Sequence, residues 1–170
     1  MEIAYRAARM EDLDEAYALV RAAIDDMDRR GIHQWNEFYP DRAQLFEDID
    51  CGHLRVGTCA GRIALIYALN HDCDEGYAAC AWAQPERPWL ALHRLCVHPE
   101  RQGKGIGGQA LAHIFREAYA AGARSLRLDA FSQNPAALRL YAKAGFSRTG
   151  QVDGIMGRFY IMEKLLEESE

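Results

Sequence analysis

The chain has 170 residues, 49% of them hydrophobic, and its 20 Lys and Arg against 25 Asp and Glu give a formal net charge of -5. That length and apolar content suit one domain over residues 1–170, while the acidic balance argues against a nucleic-acid partner, whose contact face needs a surplus of Lys and Arg. The N-terminal sequence lacks the basic-then-apolar pattern of a signal peptide, and no apolar run approaches the ~18 residues of a membrane span, so a soluble cytoplasmic protein without a membrane partner is expected.

In chain order, Ile3 to Ala7 reads as a short strand. From Met10 to about Arg29, Leu13, Ala16, Tyr17, Val20, Ile24 and Met27 recur at helical spacing, with Glu11 and Asp12 at the end that favours negative charge, and Gly31 stops the helix. The loop Gly31 to Pro40 carries three aromatic residues, and a second helix follows over about Asp41 to Ile49. Strands at about His53 to Val56 and Ile63 to Leu69, separated by Gly57 and Gly61, suggest a hairpin-like pair. Asn70 to Pro88 reads as a polar, irregular loop.

Trp89 to Val97 is apolar on both alternating faces, as a strand buried on both sides should be, with His93 and Arg94 its only polar interruptions. A glycine-rich loop, His98 to Gly108, leads into a helix with Gly107, Leu111, Ile114, Phe115 and Ala118 on one face. The strand Ser125 to Asp129 then completes a βαβ unit. Asn134-Pro135 opens another helix, with the first as N-cap and the second in the first turn, and Gly145 closes it. Ala137, Leu140, Tyr141 and Ala144 would be its buried face. Phe146 to Val152 and Phe159 to Leu165 form a final strand pair before the acidic tail Glu167 to Glu170.

Five cysteines (Cys51, Cys59, Cys73, Cys80, Cys96) are an odd number with no C-x-x-C pair, which favours reduced thiols and closes no tetrahedral metal site; no metal is expected. The glycine loop is the most chemically informative segment. Glycines let backbone N–H groups approach an anion, and the following helix N-terminus adds positive potential, so the junction suits a phosphate. Gly103-x-Gly105-x-x-Gly108, with Asp129 about 20 residues on, satisfies the dinucleotide fingerprint literally. In that fold the glycines follow the strand almost at once, whereas five residues including Pro99 separate Val97 from Gly103, and too little chain follows Asp129 for a doubly wound domain. The nucleoside-triphosphate loop G-x-x-x-x-G-K-[ST] is absent from the sequence.

The longer pattern is Leu95-Cys-Val97-x-Pro99, then Gln102-x-x-Gly105-x-Gly107, then Asn134-x-x-Ala137-x-x-x-Tyr141-x-x-x-Gly145-Phe146. It resembles the GNAT superfamily of acetyl-CoA-dependent N-acetyltransferases, the first cluster its motif A and the second its motif B. Gly31-Ile-His-Gln-Trp35 is similar to a segment after the first helix in some of these proteins. The resemblance implies an α/β (α+β) GNAT-like domain: a mixed, mostly antiparallel sheet flanked by helices. It implies acetyl transfer from acetyl-CoA to a primary amine of a small molecule or peptide, by direct attack in a ternary complex. A non-catalytic acyl-CoA-binding sensor of the same fold is the alternative. Homodimers are common among such enzymes.

Carried onto this chain, the resemblance implies that backbone groups of Leu95 and Val97 pair with the pantetheine arm. The amides of Gln102, Gly103, Lys104, Gly105, Ile106, Gly107 and Gly108 would cradle the pyrophosphate. Asn134 would bond the pantetheine, and Tyr141 would reach the sulfur. Arg101, Lys104 and Lys143 are either partners for the remaining phosphates or solvated surface charges. Gln34, Trp35 and Tyr39 would form one wall of the acceptor site, and Phe159 or Tyr160 the other; Trp35 and Tyr39 also read as core caps. Many relatives place a Glu on the strand before motif A. Here Ala91, His93, Leu95 and Val97 share one alternating face, so His93 is either the general base or a core histidine. Cys96 points to the other face and into the core.

Overall fold

Tyr67 and its neighbours from Ile63 to Leu69 lie at 8% exposure or less, which makes this apolar run the most deeply buried strand of the computed structural model. The structure describes residues 2–168, so Ser169 and Glu170 of the acidic tail lie outside the described residues. Seven strands are ordered β1-β2-β3-β4-β5-β7-β6: β1 (Ala4–Ala7), β2 (Leu54–Cys59), β3 (Arg62–Asn70), β4 (Trp89–Val97), β5 (Ser125–Phe131), β6 (Ser147–Gly154) and β7 (Gly157–Leu165). The β1/β2, β2/β3, β5/β7 and β6/β7 pairs are antiparallel and β4/β5 is parallel, giving the mixed, mostly antiparallel sheet expected. No helix among the described residues is long and apolar enough to cross a membrane.

Two compact units divide the chain: residues up to Leu69 with His93–Ile106, and Asn70–Leu92 with the chain from Gly107 onward. In the first, helix α1 (Leu13–Arg29) buries Leu13, Ala16, Leu19, Val20, Ala23, Ile24 and Met27. Tyr17 stays half-buried at the edge of that stripe, and Leu19 and Ala23 complete it. Met10–Asp12 forms a 3-10 turn ahead of α1, in which the buried Asp12 carboxylate accepts from the Arg9 amide at 2.7 Å and from Arg6 at 2.7 and 2.8 Å. Helix α2 (Arg42–Asp50) is capped by Asp41, whose Oδ1 accepts from the Gln44 amide at 2.8 Å. Gly57 does not end β2 as the sequence suggested. It lies inside the strand, because a Cβ there would come within 2.7 Å of Leu65 and 2.9 Å of Ile3, space those side chains fill.

In the second unit, helix α3 (Ile106–Ala120, from Gly107 onward) buries Ala110, Leu111, Ile114, Phe115 and Ala118, and β4-α3-β5 forms the expected βαβ crossover. Tyr141 is the only fully buried residue of helix α4 (Pro135–Lys143); Ala137, Leu140 and Ala144 are half-buried, a partial correction to the expected face.

Residues 71–88 are largely irregular, as expected, but specific contacts order them. Glu75–Ala79 is a 3-10 turn, the Tyr77 hydroxyl donates to Asp129 at 2.9 Å, and Trp82 Nε1 donates to the Tyr77 carbonyl at 2.8 Å. The Glu163 carboxylate accepts from the Ala83 and Gln84 amides at 2.7 and 3.1 Å, while its cross-strand partner Arg127 donates to the Gln84 carbonyl at 2.7 Å. Arg127 also stacks on the rings of Trp82 and Trp89, at 3.9 and 4.4 Å. Buried backbone polar groups need partners, and here Arg127 of β5 and Glu163 of β7 supply them.

Candidate active site

The last half of β4 departs from a regular strand at Arg94, which has a φ of 53°. A non-glycine residue in this left-handed region costs on the order of 1–3 kcal/mol and persists only where its surroundings hold it. Ala91 and Leu92 are consecutively buried, and His93, Arg94 and Leu95 are consecutively half-buried. The alternation expected through Ala91, His93, Leu95 and Val97 is therefore interrupted, and a shared face for the four cannot be read across Arg94. His93 is half-buried, and Cys96 is buried as expected, with its thiol pushed up to about 12 by loss of solvent. Such a thiol stays neutral and unreactive near pH 7.

What holds Arg94 is a fork onto Asp48 of α2. Nε donates to Oδ2 and Nη2 to Oδ1, both at 2.7 Å, with both side chains buried. Its third nitrogen, Nη1, donates to the Tyr39 hydroxyl at 2.9 Å. Burial alone would lower the Arg94 pKa, but Tyr39 and Asp48 outweigh it and the guanidinium is held above its ordinary value.

Beyond β4, the His98 amide donates to the Ala64 carbonyl at 2.8 Å, fixing the strand's exit to β3. Pro99–Arg101 is a 3-10 turn, and Lys104 Nζ donates to the Glu100 carbonyl at 2.8 Å. Gln102 Nε2 donates to the Val97 carbonyl at 3.0 Å, so both expected ligand-binding side chains first brace the loop itself. Arg101 donates to the Cys59 sulfur at 3.5 Å. Gly103 and Gly105 have φ of 72° and 77°, and a Cβ at either would meet nothing within 4 Å. Conformation, not space, demands glycine here. Left-handed glycines alternating with ordinary residues turn successive N–H groups toward one side, a concavity that receives anions. Ile106, at 1% exposure, anchors the next residue as α3 begins, where the first turn's N–H groups have no intrahelical partner. The residues present fit a diphosphate.

Gln34 and Trp35 are half-buried in the segment between α1 and α2. Asn36 Oδ1 accepts from the Phe38 and Tyr39 amides at 2.9 and 3.1 Å, and the Asn36 amide donates to the Tyr39 carbonyl at 3.1 Å. The expected loop thus contains a closed turn, with Phe38 at its tip 77% exposed.

In the second unit, Asn134 caps α4 by accepting from the Ala137 amide at 3.1 Å. Tyr141 packs edge-on against Phe146, ring centroids 5.6 Å apart, and Lys143 is exposed. A Cβ on Gly107 would lie 3.1 Å from Leu140, so α3 and α4 meet closely there, while Gly108 faces open space. Tyr160 is stacked under the Arg148 guanidinium at 3.9 Å, and Phe159 packs on Phe131 at 5.1 Å. Asp129 and Arg127 have the partners described above, and Arg94 has Asp48.

Sequence reasoning passed over Arg94 and Asp48 as site residues. The signal was present: an arginine interrupting an apolar strand, and an acid beside Leu45 and Ile49 on the buried side of α2. Among the described residues, no group of three or more His, Cys, Asp or Glu is placed to hold a metal ion.

A sheet whose fourth strand feeds a glycine loop and helix defines the acetyltransferase architecture. Residues 32–146 match the acetyltransferase (GNAT) family, and the chain belongs to that family. It is 36% identical over 67 residues to the L-methionine sulfoximine/L-methionine sulfone acetyltransferase of Salmonella typhimurium, a match spanning 39% of each chain. An acetyltransferase of the GNAT family from Streptococcus agalactiae has the same fold, with a TM-score of 0.82 and 24% identity over 98% of this chain and 96% of that one. So does the putative acetyltransferase yncA of Salmonella typhimurium, solved with its cofactor acetyl-CoA, with a TM-score of 0.72 and 21% identity over 100% of this chain and 97% of that one.

Proposed function

We propose that residues 1–170 act as one acetyltransferase domain that moves the acetyl group of acetyl-CoA to a primary amine. The observation that carries this is the loop from β4 to α3, whose left-handed Gly103 and Gly105 shape a backbone cradle for the donor's diphosphate. Gln102 to Gly108 hold that diphosphate, and backbone groups of Leu95 and Val97 pair with the pantetheine arm beside it. Asn134 keeps its capping bond to Ala137 and bonds the same arm through its amide nitrogen.

The amine nitrogen attacks the thioester carbonyl carbon, the C–S bond breaks, and the nitrogen's proton goes to a base, His93 or a water. An alkyl ammonium with a pKa near ~10.4 is only about one part in a thousand neutral at pH 7.4, so the site must select or generate the free amine. On the leaving side, full protonation of a thiolate near ~8.5 by a phenol near ~10 is uphill by roughly 2 kcal/mol. Tyr141 therefore serves as a hydrogen-bond donor to the sulfur, and Gln34, Trp35, Tyr39 and Tyr160 line the acceptor side.

Thiol release from acetyl-CoA, measured over a panel of amines that includes L-methionine sulfone, free L-amino acids and a polyamine, tests this. Release with at least one amine is expected. Tight acetyl-CoA binding without release across the panel would overturn it and favour a non-catalytic acyl-CoA-binding protein.

A further inference from the structure

We infer that Asp48, Arg94 and Tyr39 form a positioning relay, in which a buried ion pair on β4 fixes the aromatic turn that receives the acceptor amine. This role rests on the acetyl transfer proposed above. All three guanidinium nitrogens of Arg94 are engaged, two by Asp48 and one by the Tyr39 hydroxyl. With its charge matched by Asp48 and its fork occupied, Arg94 acts through Tyr39 instead of reaching an acceptor carboxylate.

Tyr39 itself is 43% exposed, and its hydroxyl ties it to β4. The turn it closes is short and self-bonded through Asn36, with Phe38 and Tyr39 inside it and Trp35 next to it in the chain. The other end of the relay is the left-handed Arg94, one residue from His93 and one from Leu95. The same side chain therefore links the left-handed residue of the donor strand to the place of the acceptor turn. A misplaced turn loses acceptor binding without touching the donor cradle.

Two variants of the full chain test the relay. Tyr39→Phe removes one hydroxyl and leaves the buried pair intact, and Arg94→Lys keeps the charge but cannot span both the carboxylate and the phenol. Hydrogen exchange at the Phe38 and Tyr39 amides is expected to rise tenfold or more in each, with β6 and β7 unchanged. With the amine that supports thiol release, the KM for amine is expected to rise fivefold or more while the KM for acetyl-CoA stays within twofold. The double variant should be no worse than the poorer single one, because both cut one connection. Unchanged exchange at Phe38 and Tyr39 in Tyr39→Phe, or a KM for acetyl-CoA that rises with that for amine, would overturn the relay. Should no amine support release, acetyl transfer fails by itself, and the exchange measurement still decides whether the tether exists.

Discussion

Arg94 and Arg127 are both arginines on strands and both charged, yet they are stabilised in opposite ways. Arg94 meets a carboxylate with two nitrogens and a phenol with the third, and its pKa is raised. Arg127 lies between two tryptophan rings and donates to backbone carbonyls; its Nε is buried without a hydrogen-bond partner, and burial lowers its pKa. An arginine matched to an acid locks one side chain to another. An arginine matched to ring faces and carbonyls fastens a stretch of backbone, here residues 84 and 85, to the sheet. The first arrangement can position a reacting site, whereas the second builds scaffold.

Removing the matched arginine should cost most. Arg94→Ala leaves the Asp48 carboxylate buried without its counter-charge and is expected to destabilise the fold by about 3–5 kcal/mol in urea unfolding, with much of the loss recovered when Asp48→Asn is added. The Arg127 surroundings should instead show in thiol chemistry. Burial pushes Cys73 from the usual 9.0 to about 11, outweighing the nearby guanidinium. At pH 8 its thiolate fraction should be on the order of a hundredfold below that of an ordinary cysteine, and alkylation followed by peptide mapping should label exposed Cys51 well before Cys73. Arg127→Lys gives up the planar stack and is expected to cost about 1–2 kcal/mol by the same unfolding assay, with acceptor KM unmoved. The smallest effect separates both from an ordinary ion pair. Arg6, through its hydrogen bonds, holds the Asp12 carboxyl below its usual value, so this pair's stabilisation is present above pH ~4 and lost as pH falls through the depressed pKa. Arg6→Gln should flatten the acid limb of the stability profile.

The same contrast explains what could be read from sequence. The stripes of α1 and α3, the Asn134 cap and the glycine loop are local patterns, with cause and consequence within a few residues, and each stands where expected. Segment 70–88 is irregular as expected, but what fastens it could not be read, because its partners Arg127 and Glu163 lie about 40 and 80 residues away along the chain. The left-handed conformation of Arg94 was hidden for a related reason. Hydrophobic alternation reports which face a residue takes but not its φ, and Asp48 and Tyr39, whose side chains hold Arg94, are distant in sequence. Tyr39 showed as one aromatic among three, its partner 55 residues on.

The central claim, that the Gly103–Gly105 loop grips the donor by its diphosphate, is tested most directly by titrating acetyl-CoA and S-acetylpantetheine, which lacks the diphosphate, into the protein and into Gly105→Val. In the natural chain, S-acetylpantetheine should bind at least a hundredfold more weakly than acetyl-CoA; in Gly105→Val the acetyl-CoA Kd should rise until the two nearly match. Equal Kd values for the two compounds in the natural chain, or an acetyl-CoA Kd untouched by Gly105→Val, would contradict the claim.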